Sequence, residues 1–147
     1  MNPEDYHKQF YRLIVALNRI EGFYYRFAKS SGIKENTICL LYALADGEPK
    51  SQKQICDEWL IPKTTLNTII KELSASGMLV LLNEDGKKEK IISLTERGEA
   101  FVDLIMGKCR EAERTALEKT LEEFSPEFID AFEMFSAKLE DEFAKLM

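Results

Sequence analysis

Residues Ser51 to Gly98, SQKQICDEWLIPKTTLNTIIKELSASGMLVLLNEDGKKEKIISLTERG, decide how this chain folds. From Pro62 to Ser76, Leu66, Ile69, Ile70 and Leu73 recur at steps of three and four, the stripe of a helix buried on one side. Lys63, Thr64, Asn67, Thr68 and Lys71 fall on the other side. Upstream, Ser51-Gln52-Lys53-Gln54 has the spacing of a capping box. It opens a short helix whose inner face holds Ile55 and Trp59. Only Leu60 and Ile61 precede Pro62, and proline is favoured at a first helical position. Two helices joined that tightly must cross steeply. Downstream, Gly77 ends the second helix and Met78 to Leu82 reads as an apolar strand. Asp85-Gly86 is a hairpin signal, and Lys90 to Leu94 alternates as the return strand.

Two short helices followed by a lysine-tipped hairpin make the pattern of a winged helix-turn-helix, and the polar ridge suits a major groove and its phosphates. Asn67 is expected at adenine edges and the Thr68 methyl at thymine. Thr64 and Thr65, in the first turn, would meet phosphate beside backbone amides. Lys63 and Lys71 on the helix, and Lys87, Lys88 and Lys90 on the hairpin, are expected at phosphates, with Ser51 and Gln52 completing the DNA-contacting set. A merely solvated helix face and a solubilised hairpin tip would carry the same residues.

Outward from this segment, the pattern is helical. Tyr6, Phe10, Leu13, Leu17, Ile20, Tyr24 and Phe27 form a heptad-like seam along a helix from about Pro3 to Ser30, closed by Gly32. A second helix, from about Lys34 to Ala45, carries Ile38, Leu41, Tyr42 and Leu44 and stops at Asp46-Gly47. Thr95 caps a long helix toward about Glu123. Ser125-Pro126-Glu127 starts the last helix, with Phe128, Phe132, Phe135, Leu139, Phe143 and Leu146. A small DNA-binding lobe cannot cover so many large apolar side chains. Two-fold pairing through Tyr6, Phe10, Leu13 and Leu17 with Phe128, Phe132, Phe135, Leu139 and Phe143 would bury them. Folding of both end helices onto the core of a monomer is the alternative. The expected class is mostly α (α+β). One domain, 1–147, would comprise a winged lobe (33–98, two-stranded β wing) and a dimerisation lobe (1–30 plus 99–147).

Charge sharpens this division. The net charge of −6 is uneven: residues 1–49 balance, 50–98 carry +1 and 99–147 carry −7. Over a Debye length of about 8 Å, distant acids barely weaken lysine–phosphate contacts. The acidic last third also keeps open a second class, a winged-helix protein-interaction module without DNA binding. Cys39, Cys56 and Cys109 are odd in number, widely spaced and in apolar helical contexts, which suits buried packing better than a disulfide framework or a zinc site. His7 is the only histidine, so a Ser–His or Cys–His pair would have to use it, and no ligand cluster accompanies it. An enzyme, a metal and a cofactor are therefore not expected. No apolar run approaches the roughly 18 residues of a membrane span. The opening MNPEDYHKQF has acids where a signal peptide is basic and apolar, so the cytoplasm is the expected compartment.

Several motifs resemble those of the MarR family of bacterial transcriptional regulators. Leu94-Thr95-Glu96-Arg97-Gly98 is similar to the family's leucine-threonine-x-x-glycine after the wing. Leu73-x-x-x-Gly77-Met78-Leu79-Val80 resembles the end of its recognition helix, and Phe124-Ser125-Pro126-Glu127 the start of its last dimerisation helix. Cys56 stands where the family places a small residue. The resemblance implies a homodimer, most often a repressor, that reads a pseudo-palindromic double-stranded operator with half-sites about one helical turn apart. It also implies a small aromatic effector between the lobes. The wing departs from the family's Asp-x-Arg: Asp85-Gly86-Lys87 replaces a planar fork with a point charge. Wing contact with the phosphate backbone is the expectation that follows.

Overall fold

The computed structural model describes residues 1–83, 86 and 88–147. Asp85 of the expected turn and Lys87 of the expected wing contacts lie outside the described residues. The elements run α1 (Pro3–Ser30), α2 (Glu35–Ala43), β1 (Lys50–Ser51), α3 (Gln52–Trp59), α4 (Lys63–Ala75), β2 (Leu79–Asn83), β3 (Lys90–Leu94), α5 (Glu96–Leu121) and α6 (Glu127–Ala144). The chain divides into two compact units, Met1–Gly107 and Lys108–Met147, with the boundary inside α5.

Local chemistry explains the helix ends. Asn2 caps α1 by accepting the Asp5 amide at 2.9 Å, with Pro3 as its first residue. α2 stops at Ala43, two residues before the expected end, because the chain already turns at Leu44. Gly47 then takes a left-handed φ of +80° and donates its amide to the Leu44 carbonyl at 3.0 Å. Pro62 stands just outside α4, not as its first residue: its ψ of 137° is extended, and no side chain caps the first-turn amides. The sharp bend between α3 and α4 falls on Leu60, a non-glycine residue in the left-handed region at φ 50°.

The core of the first unit lies under α4. Leu66, Ile69, Ile70 and Leu73 are buried as the period required. They join Ile38, Leu40, Leu41 and Leu44 of α2, Ile55 of α3, Leu79 and Ile92 of the sheet, and Val102 and Met106 of α5 among the buried side chains. The two wing strands are joined by a third, in the order β1-β3-β2. β2 pairs antiparallel with β3 from Leu79 opposite Leu94 to Asn83 opposite Lys90. The added strand pairs Lys50 with Ile92 and Ser51 with Ile91. Its anchor is Lys50, whose ammonium donates to the Ala43 carbonyl and to Asp46 Oδ2, each at 2.6 Å. That contact holds the Asp46 carboxyl below the usual carboxylate range, through the Lys50 hydrogen bond first and the Glu48 amide second.

The wing returns into α5 through a tight knot. Thr95 Oγ1 donates to the Gly77 carbonyl at 2.6 Å and accepts the Gly98 amide at 3.1 Å, capping the helix as its position predicts. In the second unit, Ser125 Oγ accepts the Glu127 amide at 3.3 Å and starts α6.

Candidate nucleic-acid interface

The polar ridge is set by the start of α3. Ser51 Oγ accepts the Gln54 amide at 3.0 Å, but the Gln54 side chain donates to Glu58 at 3.0 Å, so the capping box closes on one side only. Gln52 and Cys56, one turn apart on α3, then line the same cleft as Asn67 of α4. The Gln52 side-chain amide donates directly to Asn67 Oδ1. That bond fixes the rotamer of the residue expected to read a base and leaves the Asn67 amide nitrogen as its remaining donor.

The cleft has a volume of about 760 Å³. Gln52, Lys63, Asn67, Lys88 and Lys90 all line it, so five expected contact residues from α3, α4 and the wing converge there. Four further lining residues were absent from that set: Lys53, Cys56, Asp57 and Glu89. The signal for the first three was their place on the same short helix as Gln52. Lys53 Nζ sits 2.6 Å from Asp57 Oδ2, and this hydrogen bond raises the Lys53 ammonium above its ordinary value. Among the described residues, four lysines and two carboxylates line the cleft.

Other expected residues sit around this centre. Thr64 is exposed and Thr65 half-buried in the uncapped first turn of α4. Thr68 is exposed, and its hydroxyl donates to the Thr64 carbonyl at 3.1 Å, which leaves the methyl as the group it can offer outward. Lys71 is exposed farther along α4. Ser51 is half-buried and its oxygen is occupied by the cap. Trp59, read as an inner-face residue, is 37% exposed and lies against Tyr42, with ring centroids 5.6 Å apart.

The residues expected to pair two copies lie on two different units. On α1, Tyr6, Phe10 and Leu13 are exposed and Leu17 is half-buried. On α6, Phe128, Phe132 and Phe143 are exposed, while Phe135 and Leu139 are half-buried. The Phe132 and Phe135 rings stack with centroids 6.5 Å apart. Cys39 and Cys56 are half-buried and Cys109 is buried. Burial pushes the Cys39 and Cys109 thiols up, with a neighbouring glutamate adding to each. Among the described residues, no helix is long and apolar enough to cross a membrane, and no group of His, Cys, Asp and Glu is arranged to hold a metal.

Two short helices about a left-handed turn, the second amphipathic, with a lysine-bearing hairpin beside it, define a winged helix-turn-helix protein. Residues 31–89 match the MarR family model. A MarR family regulator from Neisseria meningitidis is 20% identical over the full length of both chains, with a TM-score of 0.72. AbfR of Staphylococcus epidermidis, solved in its reduced form bound to DNA, is 22% identical over 97% of this chain and 99% of that one, with a TM-score of 0.68. NadR, solved with 4-hydroxyphenylacetate, is 19% identical over 86% of this chain and 88% of that one, with a TM-score of 0.69. No curated protein matches the chain.

Proposed function

We propose that this chain is a DNA-binding transcriptional regulator of the cytoplasm and not an enzyme, a homodimer that represses a pseudo-palindromic operator until a small effector binds. The observation that carries the reading is the convergence of Gln52, Lys63, Asn67, Lys88 and Lys90 on one cleft. In it, the α4 ridge enters the major groove, the uncapped first-turn amides and Thr64 take a phosphate, and the wing lysines hold the backbone. The exposed aromatic rows of α1 and α6 supply the apolar area that a two-fold interface needs. DNA-bound AbfR and NadR in complex with 4-hydroxyphenylacetate, which share the fold, support the two partner classes.

Titration of the full chain against a random duplex and against fragments selected from a random pool tests the reading. Binding should fall steeply with salt. Asn67→Ala is expected to cost about 1–3 kcal/mol on the selected site and little on random duplex. Lys88→Ala should weaken both alike and flatten the salt slope by about one unit. Absence of binding to any duplex at low salt would instead favour the protein-interaction module, for which the charge of −7 over residues 99–147 speaks.

A further inference from the structure

A second cavity, of about 410 Å³, lies apart from the cleft, where α1, α2 and the end of α3 meet. Tyr24, Tyr42 and Trp59 line it, together with Glu21, Glu35 and Cys39. The Tyr24 and Tyr42 rings stand at 88° with centroids 6.2 Å apart, and Tyr42 and Trp59 at 59° with centroids 5.6 Å apart. Rings set at such angles form adjacent walls, so one guest can meet more than one π face within about 6 Å. Edge-to-face packing of core aromatics would give similar angles. Core rings are closed to solvent, however, whereas Tyr42 and Trp59 are 38% and 37% exposed on a concave surface.

The charge around these walls has one sign. Glu21 and Glu35 are exposed and, among the described residues, neither forms a salt bridge. Lys34, the neighbouring cation, is turned to Glu72 at 2.8 Å. The local field already acts on Cys39, whose thiol is pushed up by burial first, and by Glu35 and Glu21 in addition. A carboxylate entering here would meet two like charges and the negative faces of three rings. A neutral aromatic would gain nothing from the carboxylates.

We infer that this cavity binds a small organic cation, a quaternary ammonium group seated against Tyr24, Tyr42 and Trp59 with Glu21 and Glu35 as counter-charges. It rests on the regulator reading for its consequence alone: the cage joins α1 to α3, so an occupant would bias how the helix-turn-helix is held. The volume suits a free small molecule.

Trp59 is the only tryptophan, so intrinsic fluorescence reports the cage directly. The full chain is titrated with phenyltrimethylammonium, and with benzoate as an anion of similar size. A saturable change with the cation and none with benzoate is the expected result. Glu35→Gln, a change on an exposed first turn, should raise the half-saturating concentration about tenfold. Tyr42→Ala should abolish the response while the reporter remains, with far-ultraviolet circular dichroism confirming the fold. Nα-acetyl-trimethyl-lysine amide distinguishes a methylated side chain from a free ligand, and tighter binding of either probe supports the cation site. An equal response to benzoate, or titrations that neither substitution alters, would overturn it. Because no DNA is present, a chain that ignores every duplex yet answers to the cation refutes the regulator reading and leaves this site standing.

Discussion

Replacing Gly98 with alanine tests whether the glycine after the wing is required by space alone. Gly98 is buried in the first turn of α5, where its backbone is helical and an alanine would otherwise be welcome. A Cβ there would lie 2.0 Å from the Met78 carbonyl oxygen, 3.0 Å from its carbon and 3.2 Å from Leu94 Cδ2. Carbon–oxygen contacts begin near 3.3 Å, so backbone must move by more than about 1 Å. The obstructing carbonyl accepts the Thr95 amide at 3.0 Å, and the Gly98 amide itself donates to Thr95 Oγ1 at 3.1 Å. Overpacking costs about 1–3 kcal/mol, and one or two weakened hydrogen bonds add about 1 kcal/mol each. A loss of about 3 kcal/mol should lower Tm by roughly 6–12 °C for a chain of this size. Gly107→Ala is the control: it too is helical, but nothing lies within 4 Å of its added carbon. That change should be neutral or stabilise by up to about 1 kcal/mol. Thermal melts at one fixed protein concentration separate the two variants, because association contributes to Tm. A Gly98→Ala melt within about 2 °C of the parent, or an equal loss in Gly107→Ala, would refute the steric account.

Three further outcomes are expected. Leu60→Gly relieves a left-handed non-glycine residue, a gain of about 1–2 kcal/mol offset by about 0.5–1 kcal/mol of added chain entropy, so its urea midpoint should rise slightly. The Asp46 carboxyl is held below its ordinary value, so its contribution is present above the unfolded value of about 3.9 and is lost as pH falls through the lower folded value. Asp46→Asn should therefore be less stable than the parent at pH 6 and converge with it in strong acid, by a modest amount because the side chain is 56% exposed. Phe132→Asp places a charge in the exposed aromatic row of α6 and should shift the sedimentation of the chain toward a single subunit; unchanged sedimentation would remove that row from the interface.

Much of this fold was legible because helix periodicity states which side of an element faces inward. The stripe of Leu66, Ile69, Ile70 and Leu73 identified the inner side of α4, and all four are buried. The seam of α1 placed its ends at Pro3 and Ser30, where the helix begins and stops. Less was legible at Pro62, which takes an extended ψ because the α3–α4 turn needs it, and at β1, where two residues carry no alternation to read. Trp59 departs from the inner-face expectation because the spacing that buries Ile55 sets the larger indole beside Tyr42 with 37% of it exposed.

Sequence alone determined the order of the helices and of the two hairpin strands, the inward face of α4, the caps at Ser51 and Thr95, and the uneven charge. Each of these depends on neighbours within a turn or two of chain, where spacing and side-chain chemistry suffice. Tertiary structure alone decided that Gln52 would grip Asn67, that Lys50 would recruit a third strand, that Gly98 would lie against Met78, and that Tyr24, Tyr42 and Trp59 would stand as walls of one cavity. Those meetings join residues whose separation along the chain says nothing of their distance in space, and only close packing of the elements brings them together.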